Sequence, residues 1–170
     1  MAKTVVLVIA EQMFRDEEYQ YPKTILEQAG VKVVTVSTTL GEAVGKLGLK
    51  VKPDRLLAKL TVTQADALVF IGGGGSSQYF DDPTAHRLAR EYAQAGKIVG
   101  AICIAPVILA RAGLLSGKRA TVFPDGQADL EQSGAFYTGN PVEVDGLMIT
   151  GNGPAAAEEF GRKLVELLAG

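Results

Sequence analysis

The sequence predicts an α/β fold, a doubly wound three-layer sandwich around a mostly parallel sheet, and three observations predict it. Short aliphatic and β-branched runs recur without polar alternation: residues 4–10 (TVVLVIA), 67–71 (ALVFI) and 97–102 (KIVGAI). Such runs are what strands buried on both faces look like. Segments with apolar residues at helical spacing lie between them, which is the alternation of a parallel sheet wrapped in helices. A run of four glycines and the only cysteine each follow a strand directly, at the carboxyl end of the sheet where such folds bind ligands.

The 170 residues suit one compact domain, residues 1–170. The composition is 47% hydrophobic, enough for a substantial core, and the net charge of -2 comes from 17 basic and 19 acidic residues. No basic stripe is available to neutralise phosphates, which argues against a nucleic acid or an anionic membrane as partner. The apolar runs are too short to span a bilayer. The opening MAKTVVLVIA enters a strand at once, without a small-residue cleavage pattern, so no signal peptide is expected. A lone cysteine forms no internal disulfide and fits a reducing, cytoplasmic location.

Residues 4–10 form the first strand, and residues 11–16 a polar loop. A helix over residues 17–29 stops at Gly30 and carries Ile25, Leu26 and Ala29 on one face; Pro22 suits only a first turn or a kink, which would move its start toward Tyr21. Residues 31–37 (VKVVTVS) are the second strand. Residues 44–47 and 49–52 flank Gly48 and read as a small hairpin at the sheet edge. After the 67–71 strand come Gly72 to Gly75 and the polar stretch SSQYFDDP. A helix follows over residues 83–95, with Asp82 as N-cap and Pro83 at its first position. The 97–102 strand delivers Cys103, and a helix over 105–112 ends at Gly113. A strand over 119–123, a turn at Phe123-Pro124-Asp125-Gly126 and a short helix over 128–132 come next. Asp145-Gly146 joins strands 142–144 and 147–150 in a hairpin. The last helix, over 154–168, has its apolar stripe on Phe160, Leu164, Val165 and Leu168.

Cys103 sits in Ala101-Ile102-Cys103-Ile104-Ala105, with small residues two before and two after. A sharp strand-to-helix turn needs those small neighbours and forces its central residue into strained backbone space, which is the logic of a nucleophile elbow with cysteine in place of serine. A helix N-terminus beyond it favours thiolate. The competing reading is a small buried hydrophobe. The four-glycine turn can aim amides from Gly73 or Gly74, together with that of Ile104, at an oxyanion formed by attack of Cys103; the competing reading is a tight turn needing positive φ. It lacks the Lys-Ser/Thr and the spacing of nucleotide-binding loops. Glu17 and Glu18 follow the first strand. A carboxyl group buried beside a thiolate would stay protonated and could donate to the sulfur or move a proton, while two solvated acids at a helix N-terminus are the plainer alternative. The single histidine, His86, lies early in the helix after the glycines and is expected on the outer layer, away from the sulfur. One cysteine and one histidine are too few soft ligands for a metal site.

These residues resemble the ThiJ/PfpI superfamily over essentially the whole chain, and most of all its YajL / Parkinsonism-associated protein deglycase branch. The matching pieces are the first strand with DEEYQYP, the glycine turn after ALVFI, AICIAP, ATVFP, VEVDGLMIT and GNGP. The resemblance implies a flavodoxin-like sandwich and a homodimer. It places the reactive cysteine on Cys103, its partner glutamate on Glu18, four residues before Pro22, and the oxyanion amides on Gly74, ahead of Gly73, and on Ile104. The activity it implies is cofactor-independent conversion of methylglyoxal or glyoxal, small reactive carbonyls, to hydroxy acids. Protein deglycation, oxidative-stress sensing through cysteine sulfinate and chaperone action are also attributed to such proteins. The chain departs from the pattern in places. The protease-like branch has histidine directly after the cysteine, where Ile104 stands here, which counts against a peptidase. Phe123 precedes Pro124 where the Parkinsonism-associated protein has histidine. Asn152 and Ala155 flank Gly153-Pro154 where arginine or glutamine and glycine are usual. The expectation is a glyoxalase- or deglycase-type enzyme using Cys103 and Glu18 without cofactor or metal. The alternatives are a redox-sensing, chaperone-like dimer and a hydrolase.

Overall fold

The computed structural model describes residues 2–170. The chain opens with β1 (Thr4–Val8), a short β2 (Gln12–Phe14), helix α1 (Asp16–Gln28) and β3 (Lys32–Ser37). A small excursion gives β4 (Ala43–Gly45), β5 (Lys50–Val51) and β6 (Arg55–Leu56). Then come β7 (Ala67–Phe70), α2 (Pro83–Gln94), β8 (Ile98–Ile102), α3 (Pro106–Arg111), β9 (Arg119–Ala120) and α4 (Gln127–Gln132). β10 (Phe136–Tyr137), the hairpin β11 (Val142–Asp145) and β12 (Met148–Gly151), and α5 (Ala157–Ala169) complete it.

The main sheet has the order β11-β12-β8-β7-β1-β3-β6. Every neighbouring pair is parallel except β11 with β12, the hairpin at one edge. The chain winds from β1 outward to β3, then crosses back to β7 on the other side of β1. That reversal opens a crevice at the carboxyl ends of β1 and β7, the position where doubly wound sheets take their ligands. Helices α1 and α5 pack together on one face and α2, α3 and α4 on the other, so β8 lies between α5 on one side and α2 and α3 on the other. All residues of β7 and β8 and four of the five in β1 are buried. This is why their sequences show no polar alternation.

Several elements differ from the sequence expectation. α1 runs straight through Pro22, starting at Asp16 rather than near Tyr21. Its buried side is Glu18, Tyr19, Pro22 and Leu26, while Ala29 is exposed. The cause is α5: a methyl group added at Gly161 would stand 3.0 Å from the Pro22 Cα, so the helices meet at backbone distance and turn Pro22 inward. The 43–51 hairpin forms, but not at the edge of the main sheet. β4 pairs with β2, and the three short strands β2-β4-β5 make a sheet of their own, so the stretch read as a polar loop carries a strand. The 119–123 strand shrinks to Arg119–Ala120, paired with β10 in a separate ribbon, because β12 already occupies the place beside β8.

Candidate active site

Cys103 has φ 67°, one of two non-glycine residues with positive φ among the described residues. L-residues avoid this region, so surrounding bonds must hold it. Its amide donates to the Gly151 carbonyl at the end of β12 (2.8 Å), and its carbonyl accepts from the Phe123 amide (2.7 Å). Ala101 and Ala105 on either side are fully buried, as the tight turn requires. The elbow read from the sequence is therefore present. The helix that follows is shorter than expected, six residues from Pro106, so its dipole is a weak source of thiolate stabilisation.

Glu18 arrives from α1. The Arg15 amide donates to the Gly72 carbonyl (2.9 Å), tying the start of α1 to the end of β7 and turning the first helical turn inward. Glu18 is 0% exposed, and neither carboxyl oxygen has a partner in hydrogen-bond geometry among the described residues. Gly72 lies against both Glu18 and Cys103. A methyl group added at Gly72 would lie 2.5 Å from the Cys103 Cβ and 2.6 Å from Glu18 Oε1. The missing side chain thus lets the chain after β7 pack against the cysteine and the glutamate together, and the glycine is needed there for close approach rather than for its φ.

Burial raises the Glu18 pKa to about 7, against the lowering influences of the Cys103 thiol, Arg15 and the Gly72 amide. Burial is also the largest cause raising Cys103, to about 12, with the neighbouring Glu18 charge adding to it; the amides of Gly73 and Ile104 act in the opposite direction. Two acids this close share one negative charge, and the first proton leaves the pair rather than either residue alone. With the carboxyl at about 7 and the thiol at about 12, that charge rests on Glu18, and the expected thiolate forms only when the proton moves from the sulfur to Glu18.

The amide groups bearing on the sulfur are those of Gly73 and Ile104. Gly73 has φ 99°, and a side chain there would collide with the Met13 carbonyl and the Arg15 amide. Gly74, ranked ahead of Gly73 by resemblance, is exposed and has open space where a side chain would go. It lines the cavity above the cysteine. That cavity, about 340 Å³, is bordered by Arg15, Lys46, Cys103, Ile104, Phe123 and Asp125, with Gly73, Gly74 and Pro154 completing it. A larger groove of about 530 Å³ between α1 and α5 contains none of this buried chemistry. His86 stays away: its Nε2 bonds the Phe80 carbonyl (2.7 Å) and it does not border the cavity. Glu17, beside Glu18 in sequence, is half-buried and pairs with Arg15 through Oε2 at 3.0 Å.

Sequence reading missed Arg15, Lys46 and Asp16. Buried Asp16 accepts the Leu47 and Leu49 amides (2.9 and 2.8 Å), clasping the β4–β5 turn that carries Lys46 onto the start of α1. An acid opening a helix was visible in the sequence, but the turn it holds is 31 positions away. Among the described residues no cluster of histidine, cysteine and acids is suited to a metal ion.

Residues 3–167 match the DJ-1/PfpI family model. An uncharacterised protein of Methanocaldococcus jannaschii is 41% identical over 167 residues, covering 96% of this chain and 82% of that one. A deglycase of Pyrococcus horikoshii is 33% identical, covering 96% of this chain and 98% of its own. The crystal structure of a ThiJ/PfpI domain protein from Brachyspira murdochii superposes with a TM-score of 0.96 at 33% identity, over 99% of this chain and 97% of that one. The chain belongs to the DJ-1/PfpI family.

Proposed function

From this membership we propose a cysteine-dependent, cofactor-independent enzyme that converts α-oxoaldehydes such as methylglyoxal and glyoxal to 2-hydroxy acids, or releases them from their adducts. The observation that carries the reading is Glu18, fully buried beside Cys103, with neither carboxyl oxygen in hydrogen-bond geometry among the described residues. A carboxylate is rarely left so without a task. The deglycase of Pyrococcus horikoshii supports the same class of activity.

In this mechanism the pair carries one negative charge. Glu18 takes the thiol proton as the Cys103 sulfur adds to the aldehyde carbon. The new oxyanion is held by the Gly73 and Ile104 amides, with Gly74 at the rim, and takes a proton to give a hemithioacetal. Glu18, now a carboxylate, removes the hydrogen from that carbon and returns a proton to the adjacent one. The product is a thioester of a 2-hydroxy acid. Water hydrolyses it, freeing the hydroxy acid and the thiol. The aldehyde carbon is oxidised by two electrons as its neighbour is reduced by two, so no external oxidant or reductant is consumed.

The test is lactate release from methylglyoxal by purified protein, with Cys103→Ser and Glu18→Gln as controls. Absence of lactate would remove the reading. A second reading, a redox sensor in which Cys103 becomes a sulfinate accepting a hydrogen bond from protonated Glu18, draws on the same raised Glu18 pKa. A gain of two oxygens at Cys103 under mild peroxide, without turnover, would select it. Homodimerisation and a cytoplasmic location belong to the proposal, and sedimentation velocity tests the first. No helix among the described residues is long and apolar enough to cross a membrane.

A further inference from the structure

The rim of the Cys103 cavity is electrically asymmetric. Arg15 and Lys46 stand among its lining residues, and Asp125 is the only acid there. Arg15 is partly neutralised, since its Nε and Nη2 both reach Glu17 Oε2 at 3.0 Å. Its charge is nonetheless felt at the floor, where it interacts with both Glu18 and Cys103. Lys46 has no carboxylate within ion-pair distance among the described residues, and it is exposed. Two features hold it in place. Its amide donates to the Phe14 carbonyl (2.9 Å), and the turn it belongs to is clasped by Asp16. An ammonium group is thus mounted on a fixed turn at the mouth of a cavity with a buried nucleophile, with no acid of the protein assigned to it.

We propose that Arg15 and Lys46 select small electrophiles carrying a carboxylate, and so make Cys103 prefer anionic over neutral reagents of the same shape. Asp125 accentuates this by making the opposite rim unfavourable for the anion. A concave site lined by one sign of charge concentrates the opposite sign, and the effect weakens with salt. A volume of about 340 Å³ accommodates an α-oxoaldehyde with a short carboxylate-bearing tail. The substrate class named here rests on the glyoxalase-type reading, whereas the charge preference itself needs only a reactive Cys103.

Because Cys103 is the only cysteine, alkylation reports on this site alone. Iodoacetate and iodoacetamide react by the same step: the sulfur lone pair forms the S–C bond and iodide departs with the C–I pair. Their rate ratio at Cys103, measured by mass spectrometry and divided by the ratio for N-acetylcysteine, isolates the charge effect of the cavity. We expect this normalised ratio to favour iodoacetate by about tenfold at low salt and to approach parity at high salt. Lys46→Glu should reverse it, and Asp125→Asn should raise it. A normalised ratio near one, a ratio indifferent to Lys46→Glu, or failure of both reagents to reach Cys103 would overturn the proposal. The measurement needs no turnover, so absent lactate release would remove the catalytic reading while leaving the charge preference standing. If both hold, kcat/KM for dioxovalerate, an α-oxoaldehyde with a terminal carboxylate, should exceed that for its methyl ester, and Lys46→Glu should close the gap.

Discussion

At the floor of the Cys103 cavity, Glu18 is 0% exposed and Cys103 9%, whereas at its rim Lys46, Phe123 and Asp125 all stand in solvent. The floor is made of strand ends and the first turn of α1, joined by backbone hydrogen bonds. The rim is made of turns. The difference teaches where each kind of chemistry can be built. A shifted pKa needs desolvation, so a carboxyl and a thiol with raised values must sit on the rigid core, and the fold carries the destabilisation of a buried acid. Charge selection needs only position, so it can be placed on exposed turns with little effect on stability. Glu17 and Glu18 show the contrast between neighbours. One is half-buried and held by an arginine, and the other is wholly buried beside a thiol.

The largest effect is expected from replacing Cys103 and Glu18 at the floor of the cavity. Cys103→Ser should abolish lactate formation from methylglyoxal. Glu18→Gln should lower kcat by about 10²–10⁴, the range expected when a positioned acid–base group is lost. If Glu18→Gln keeps most of the activity, the floor is structural rather than chemical.

The second prediction concerns stability against pH. Glu18 has its pKa raised from 4.5 to about 7, so the folded state binds this proton more tightly than the unfolded chain does. Its contribution is fully present below the unfolded value and is lost as pH rises toward the folded one. Between pH 5 and 8 the wild type should lose on the order of 3 kcal/mol relative to Glu18→Gln. Denaturant melts of both proteins at a series of pH values would measure the difference, and parallel curves would argue against a buried, unpaired acid. The same titration sets activity. kcat/KM should rise with pH until about 7, as the pair loses its first proton, and then level off.

Two glycines of one turn should respond differently to substitution. Gly72→Ala would press a methyl group onto both Cys103 and Glu18 and should destabilise the protein by about 1–3 kcal/mol, with activity largely lost. Gly74→Ala meets nothing within 4 Å, keeps its amide, and should change thermal stability by less than about 0.5 kcal/mol. Calorimetry of the two variants would show equal effects only if the turn were uniformly packed.

At the rim the expected effect falls on binding rather than on stability. Phe123→Ala removes a side chain that is 38% exposed and should leave stability within about 1 kcal/mol. Its influence should appear mainly in KM, as loss of apolar contact with substrate. A large fall in kcat instead would mean that Phe123 helps hold the elbow through more than its backbone.

Much of the floor was legible in the chain. Small residues around Cys103 imply a tight turn, and a β-branched run followed at once by glycines implies a sheet's carboxyl end. Glu18 was ambiguous because carboxylates opening a helix are ordinary; only the resemblance singled it out over Glu17. The buried face of α1 was misread by local spacing, because Gly161 on α5 decides which way Pro22 points. The rim was invisible. Nothing local to Lys46 relates it to Cys103, and the link runs through Asp16, whose side chain holds a turn far along the chain.

What the sequence by itself determined is the alternation of buried strands and helices, the elbow at Cys103 and the end of the sheet where chemistry collects. All of these follow from short-range constraints, namely hydrophobic periodicity and the steric demands of a turn. What only the tertiary structure decided is the company of the thiol: Glu18 buried beside it, the Gly73 and Ile104 amides bearing on the sulfur, Arg15 and Lys46 at the rim of its cavity, and His86 away from it. Those choices depend on how α1 is fastened to the end of β7 and how β4 pairs with β2. Contacts between distant segments form only when the whole core closes, and no window of neighbouring residues records them.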